Sequence, residues 1–259
     1  MLVAVDIKQL ELMYFQNNRP VPFDLKCNKQ ILINPISVED WGIFGNCIEV
    51  LKIEKNEFSL EASSKKYLEF LIDLMIQDQD VMNKLLYILK YSLGADKVSI
   101  ETSNNKRVLA ILDDSDFIQF YIDHKEFDDI RKIILYQNIY DYDDRYIEPE
   151  IRRAIVAYNK TKYKNQTSPT LEMQKVFVIS KTGMSMKKIN KMAYRTFSQV
   201  YKFNVKEDLY MSRNIIKAST KYDMKEDVVH PLFEKENDVL DEIFVDADSF
   251  TNKVQSANN

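Results

Sequence analysis

Four glycines in 259 residues, Gly42, Gly45, Gly94 and Gly183, constrain this chain more than any other feature. Ordinary usage of about 7% would supply roughly eighteen. A dinucleotide-binding turn needs G-x-G-x-x-G and a phosphate loop needs G-x-x-x-x-G-K-[ST], because glycine lets backbone amides approach a phosphate. Four scattered glycines spell neither, so the familiar nucleotide enzymes are not expected.

Other chemistry is equally thin. Only His124 and His230 offer an imidazole for acid–base work or metal binding, and neither sits in a Ser-His-Asp or Cys-His pattern. The acidic run Asp141, Asp143, Asp144 and Glu148 suggests calcium, but an EF-hand loop starting at Asp141 needs glycine where Tyr146 stands. It also needs a bidentate acid where Arg152 stands. Asp113 to Asp116 fails in the same way at Phe117. Neither catalysis, a cofactor nor a metal is therefore expected. Cys27 and Cys47 read as buried thiols of a reducing compartment, pointing to synthesis inside a cell. No run of eighteen apolar residues exists, so no membrane span is expected.

With 45% hydrophobic and 29% charged residues, the chain has enough apolar material for one large domain or two small ones. Its net charge of -4 conceals a strong segregation. Residues 151 to 206 carry thirteen Lys or Arg and the single acid Glu172, and the segments on either side are acidic. Such a pattern serves either a polyanionic ligand or neutralisation by the acidic flanks, within a chain or between copies. A total below zero favours neutralisation.

The N-terminal part alternates as short strands, PVPFDLKC and KQILINPIS, joined by a turn at Asn28-Lys29. Ser37 then caps a helix carrying Trp41, Phe44, Ile48 and Leu51, with acids in its first turn. A longer helix opens at Ser63 or Ser64, with Tyr67, Leu68, Leu71, Ile72, Met75 and Ile76 as its apolar stripe. Another ends at Gly94, the residue favoured just past a helix end. KVSIETSNNKRVLAILDD reads as a hairpin about Asn104-Asn105, spanning roughly 97–112. EFDDIRKIILYQNI, EIRRAIVAYNKTKYK and LEMQKVFVISKTG read as helices, with Pro149 near the start of the second. MKKINKMAYRTFSQVYKF reads as one more, followed by a separate helix from about Lys206 to Ala218. The expected fold class is α+β and predominantly α-helical. The expected organisation is an α+β region over 1–124, a helical region over 125–230, and an acidic disordered tail over 231–259.

Two clusters stand out as candidate interaction sites. Tyr136, Tyr140, Tyr142 and Tyr146 lie around the acidic link, just ahead of Arg152 and Arg153. They fit a protein interface or, equally, partial burial between the two halves of the chain. The basic set Lys187, Lys188, Lys191 and Arg195 follows Gly183 and Ser185 in the outline of a helix-turn-helix, which would set a basic helix on DNA. A helix pair with a glycine corner is also common in structural helical domains, and that reading is preferred.

Three stretches carry a family resemblance: ILINPISVEDWGIFGNCIEVL, YDYDDRYIEPEIRRAIVAYNK and SPTLEMQKVFVISKTGMSMKKINKMAYRTFSQVY. They are similar to tail-morphogenesis proteins of tailed bacteriophages of low-GC Gram-positive hosts, described as tail assembly chaperones or as virion-associated tail or baseplate proteins. The late block T-x-E-x-Q…G-h-S-h-x-x-I-x-x-M-x-x-R-x-F is matched by Thr170, Glu172, Gln174, Gly183, Ser185, Ile189, Met192, Arg195 and Phe197. The resemblance spans residues 20 to 220 and consists of helix-packing positions. It implies a non-enzymatic adaptor that binds tape-measure, tail-tube or baseplate subunits, self-associates, and resides in the host cytoplasm during assembly or in the virion tail.

Overall fold

A computed structural model describes residues 5–55, 58–103, 106–145, 149–162, 168–219 and 228–233. The expected tail beyond residue 233, the Asn104-Asn105 turn and Tyr146 lie outside the described residues. The fold is α+β and mostly helical, as the sequence implies.

Chain order begins with helix α1 (Ile7–Leu10), which runs into a π-helical turn over Glu11–Phe15. Asp6 caps it by accepting from the Lys8 and Gln9 amides. Strands β1 (Val21–Asp24) and β2 (Gln30–Ile33) then pair antiparallel, Val21 opposite Ile33. Asn28, at φ 59°, makes the turn between them, a backbone region that Asn tolerates better than most residues. Helix α2 (Val38–Cys47) follows, with Ser37 Oγ accepting from the Asp40 amide as its cap.

Helices α3 (Leu60–Ser64), α4 (Tyr67–Gln77) and α5 (Gln79–Leu93) come next. The long helix expected to open at Ser63 or Ser64 is divided: Ser59 caps α3, and Lys65 and Lys66 adopt extended backbone between α3 and α4. The apolar stripe of α4 is buried from Tyr67 to Met75, but its last expected member, Ile76, is 68% exposed, and α5 closes on Gly94 at φ 70°. Strands β3 (Lys97–Ser103) and β4 (Lys106–Leu112) form the expected hairpin, and β5 (Ile118–Ile122) adds a third strand in the order β3-β4-β5.

Helix α6 (His124–Asn138) starts with a reciprocal capping box. Asp123 accepts from the Glu126 amide, and Glu126 Oε2 accepts from the Asp123 amide at 2.9 Å. Helices α7 (Pro149–Lys162), α8 (Leu171–Thr182), α9 (Met186–Asn190) and α10 (Tyr194–Ala218) follow.

The main core gathers Val21 and Ile33 from the first hairpin, Phe44 and Leu51, Leu68 and Ile72, Leu85 and Ile88, Leu109 and Ile122, and Phe127 and Ile130. A boundary near residue 125 therefore does not divide this core, because Phe127, Ile130, Ile133 and Ile134 of α6 fill it. Residues 1–144 and 171–202 form one compact unit, and residues 145–170 with 203–259 form the second. Within the first unit, Val38, Val178, Ile189 and Phe197 make a smaller core of their own. Cys47 is buried, but Cys27 is exposed; the hairpin turn that carries Cys27 is short and faces outward.

Candidate functional site

The segment Met192–Phe197 is the point where the late helices join the N-terminal elements. Read from sequence, residues 186 to 203 form one continuous helix. The structure breaks it, because α9 ends at Asn190 and Ala193 forms an antiparallel bridge with Ser37. The Val38 amide donates to the Met192 carbonyl at 2.9 Å, and the Tyr194 amide donates to the Ile36 carbonyl at 2.8 Å. These long-range bonds replace the helical ones, an instance of tertiary pairing overriding local propensity. Beyond the bridge the chain resumes as α10 and runs through to Ala218 without the second start expected near Lys206.

Arg195 follows directly, and its position corrects the basic-face reading. It is 4% exposed. Its guanidinium donates to the Tyr136 carbonyl and pairs with Glu11, and it lies over the rings of Phe15, at 5.4 Å, and Tyr140, at 5.6 Å. Burial pulls its pKa down and Glu11 opposes that shift. A planar, always-charged fork suits such a site, because carboxylate, carbonyl and ring faces can be engaged together. Arg195 is thus a structural pin and unavailable to a ligand.

The tyrosines of the acidic link are half engaged in the same region. Tyr136 donates its hydroxyl proton to Asp144 at 2.7 Å and meets Tyr142 edge-on at a centroid distance of 5.0 Å. Burial, with Asp144 beside it, raises the Tyr136 pKa, and burial raises that of Tyr142. Lys132 closes the group by pairing with the other Asp144 oxygen at 2.6 Å. Tyr140 is 36% exposed. Arg152 and Arg153 sit on α7, in the second compact unit. The structure therefore adds Arg195, which sequence order separates from them, to Tyr136 and Tyr140, while Tyr142 and Asp144 join the group through Tyr136.

The lysines separate from Arg195. Lys187, Lys188 and Lys191 are exposed on and just after α9, a helix of five residues capped by Ser185 Oγ at the Lys188 amide. Five residues are little more than one turn, too short to lay successive side chains along a DNA groove. The helix-turn-helix outline thus lacks its second helix. What α8 and α9 do present is apolar: Met173 is 61% exposed, Val176 55% and Met186 42%. Met173 and Val176 are three residues apart and share a face of α8. Sequence reading missed this surface because the apolar residues of α8 are spread around the helix among polar ones; only its packing about Val178 shows which side is buried.

Among the described residues there is no cluster of three or more His, Cys, Asp and Glu side chains that could hold a metal, and no helix is long and apolar enough to cross a membrane. No protein-family model matches the chain, nor does any curated protein or solved structure.

Proposed function

We propose that this chain is a non-enzymatic assembly chaperone for a phage tail or baseplate, holding tape-measure or tail-tube subunits before they polymerise. The observation that carries the reading is the α8–α9 surface, where Met173, Val176 and Met186 are exposed among Lys175, Lys187, Lys188 and Lys191. Exposed apolar side chains framed by charge mark a protein contact, and methionine suits a surface that adapts to its partner. The resemblance to tail-morphogenesis proteins runs through the same residues and supplies the class of partner. The buried side of this helix pair is fixed by Val178, Ile189 and Phe197, so the exposed side is presented on a rigid support.

Co-expression of the tagged chain with tape-measure or tail-tube protein tests this, with mass spectrometry of soluble complexes and of purified particles. Recovery of the subunit in soluble complexes, loss of that recovery in the M173E/V176E variant, and absence from particles support a chaperone. Presence in particles makes the chain a structural component of the virion. Recovery of DNA in place of either protein overturns the proposal.

A further inference from the structure

A cleft of about 450 Å³ opens between the β1–β2 turn, the β4–β5 end of the sheet and the start of α6. Its floor is apolar, formed by Val108 and Phe120, and its rim is cationic. Lys26 and Lys106 line it, and Lys66 reaches its edge, with Nζ 2.7 Å from His124 Nε2. An ammonium group only donates, so in this contact His124 Nε2 is the acceptor. Lys29 lies 4.7 Å from the Phe120 ring centroid and donates to Gln119.

The carboxylates that line the cleft are already committed. Asp123 pairs with Lys26 and caps α6, while Glu126 accepts from the Lys26 and Asp123 amides and is 3% exposed. Among the described residues, Lys66 and Lys106 have no carboxylate partner. With Lys26 neutralised by Asp123, Lys66 and Lys106 are the cations that the cleft leaves to an incoming anion, in a chain whose net charge is negative.

A second observation concerns β5. All four residues from Ile118 to Tyr121 line the cleft, although successive side chains of a strand point to opposite faces. Such lining arises when a strand contributes its edge, and among the described residues β5 is the outer strand of its sheet, paired with β4 alone. Open strand edges accept an extended chain by main-chain hydrogen bonding, and flanking lysines repel unwanted partners. Lysines so placed exclude basic strands and admit acidic ones.

We infer that this cleft binds an extended acidic peptide segment of a partner protein, which adds as a strand to β5 and sets its carboxylates against Lys66 and Lys106. This inference is independent of the tail-assembly reading, which rests on α8 and α9. The charged groups facing His124 are Lys66, Lys106, Lys26 and Asp123, so an incoming carboxylate shifts the balance around the imidazole and makes it a reporter.

The probe is a fluorescein-labelled nine-residue peptide of alternating Glu and Val, followed by anisotropy on the full chain, with a Lys/Val peptide and an N-methylated Glu/Val peptide as controls. The acidic peptide binds, both controls bind at least tenfold more weakly, and K66Q/K106Q loses at least tenfold in affinity while its unfolding transition is unchanged. With only two histidines in the chain, NMR resolves each: the peptide raises the His124 pKa and leaves His230 unmoved. Equal binding to K66Q/K106Q, or an unmoved His124 signal, overturns the proposal. So does equal binding of the N-methylated peptide together with its displacement by millimolar inorganic phosphate, which would mark a site for free anions alone.

Discussion

Trp41 of α2 and Tyr194 at the start of α10 stack face to face, with ring centroids 3.5 Å apart and planes 6° from parallel. Because Trp41 is the single tryptophan, its fluorescence reports whether the late helices are seated on the N-terminal elements. Tyr194→Ala is expected to shift Trp41 emission to longer wavelength and to cost about 1 kcal/mol from the ring pair alone, with more from lost burial. Urea unfolding followed at the tryptophan checks both.

Arg195→Ala removes the donor to the Tyr136 carbonyl and empties the space between Phe15 and Tyr140. The expected loss is about 2–3 kcal/mol, set chiefly by the unpaired carbonyl and the lost packing. Glu11→Gln costs less, about 1 kcal/mol, because the Glu11 side chain is 38% exposed and water screens the pair. Thermal or urea denaturation of the two variants should rank them in that order; the reverse ranking would mean that charge, and not packing, holds Arg195.

Asn138 is a second pin. It is 1% exposed; its Oδ1 accepts from the Ile36 amide at 2.8 Å, and its Nδ2 donates to the Ile134 carbonyl at 2.9 Å. Asn138→Ala leaves the Ile36 amide buried without its acceptor, at a cost of about 2 kcal/mol. Amide hydrogen exchange at Ile36 should accelerate in parallel.

His124 gives the fold a pH dependence of known sign. Burial, then Lys66, holds its pKa below the ordinary 6.5, with Lys106 and Lys26 acting in the same direction and Asp123 opposing. The unfolded chain therefore takes up this proton before the folded one does. The contribution to stability is complete above about pH 6.5 and is lost as pH falls from there through the folded-state pKa. The difference in urea midpoint between the native chain and His124→Gln, measured from pH 8 to pH 5, should grow in that interval and be flat above it.

Elements fixed by local chemistry were legible in the sequence. The Asn28 turn, the Ser37 cap, the Gly94 stop and the β3–β4 hairpin all depend on residues within a few positions of one another. What was hidden depends on distant partners. The split at Lys65-Lys66 was hidden because the stretch from Ser63 to Lys66 holds neither Gly nor Pro to mark a helix end. Strand β5 was hidden because IQFYI is short and its pairing depends on β4. The break before Tyr194 was hidden because its cause is Ile36 to Val38. Arg195 looks like its neighbouring lysines in sequence, and only the approach of Glu11, Phe15 and Tyr136 makes it a buried residue. The same holds for the candidate surfaces: composition showed lysines after Gly183, while the exposed Met173 and Val176 required knowing that α8 buries its Val178 side against Val38, Ile189 and Phe197.

The bridge between Ser37 and Ala193 also imposes an order in time. Synthesis proceeds from the N-terminus at about 5–20 residues per second, so Ala193 leaves the ribosome of the order of ten seconds after Ser37. During that interval the elements through α6 can complete their shared core, but the Val38 amide and the Ile36 carbonyl still wait for Met192 and Tyr194, and the face of Trp41 is bare. This seam is thus open on every nascent chain until Met192 and Tyr194 have emerged. A release of the chain before residue 193 would leave that seam permanently open, with a folded body and an unfilled acceptor for the α8–α10 segment of another copy.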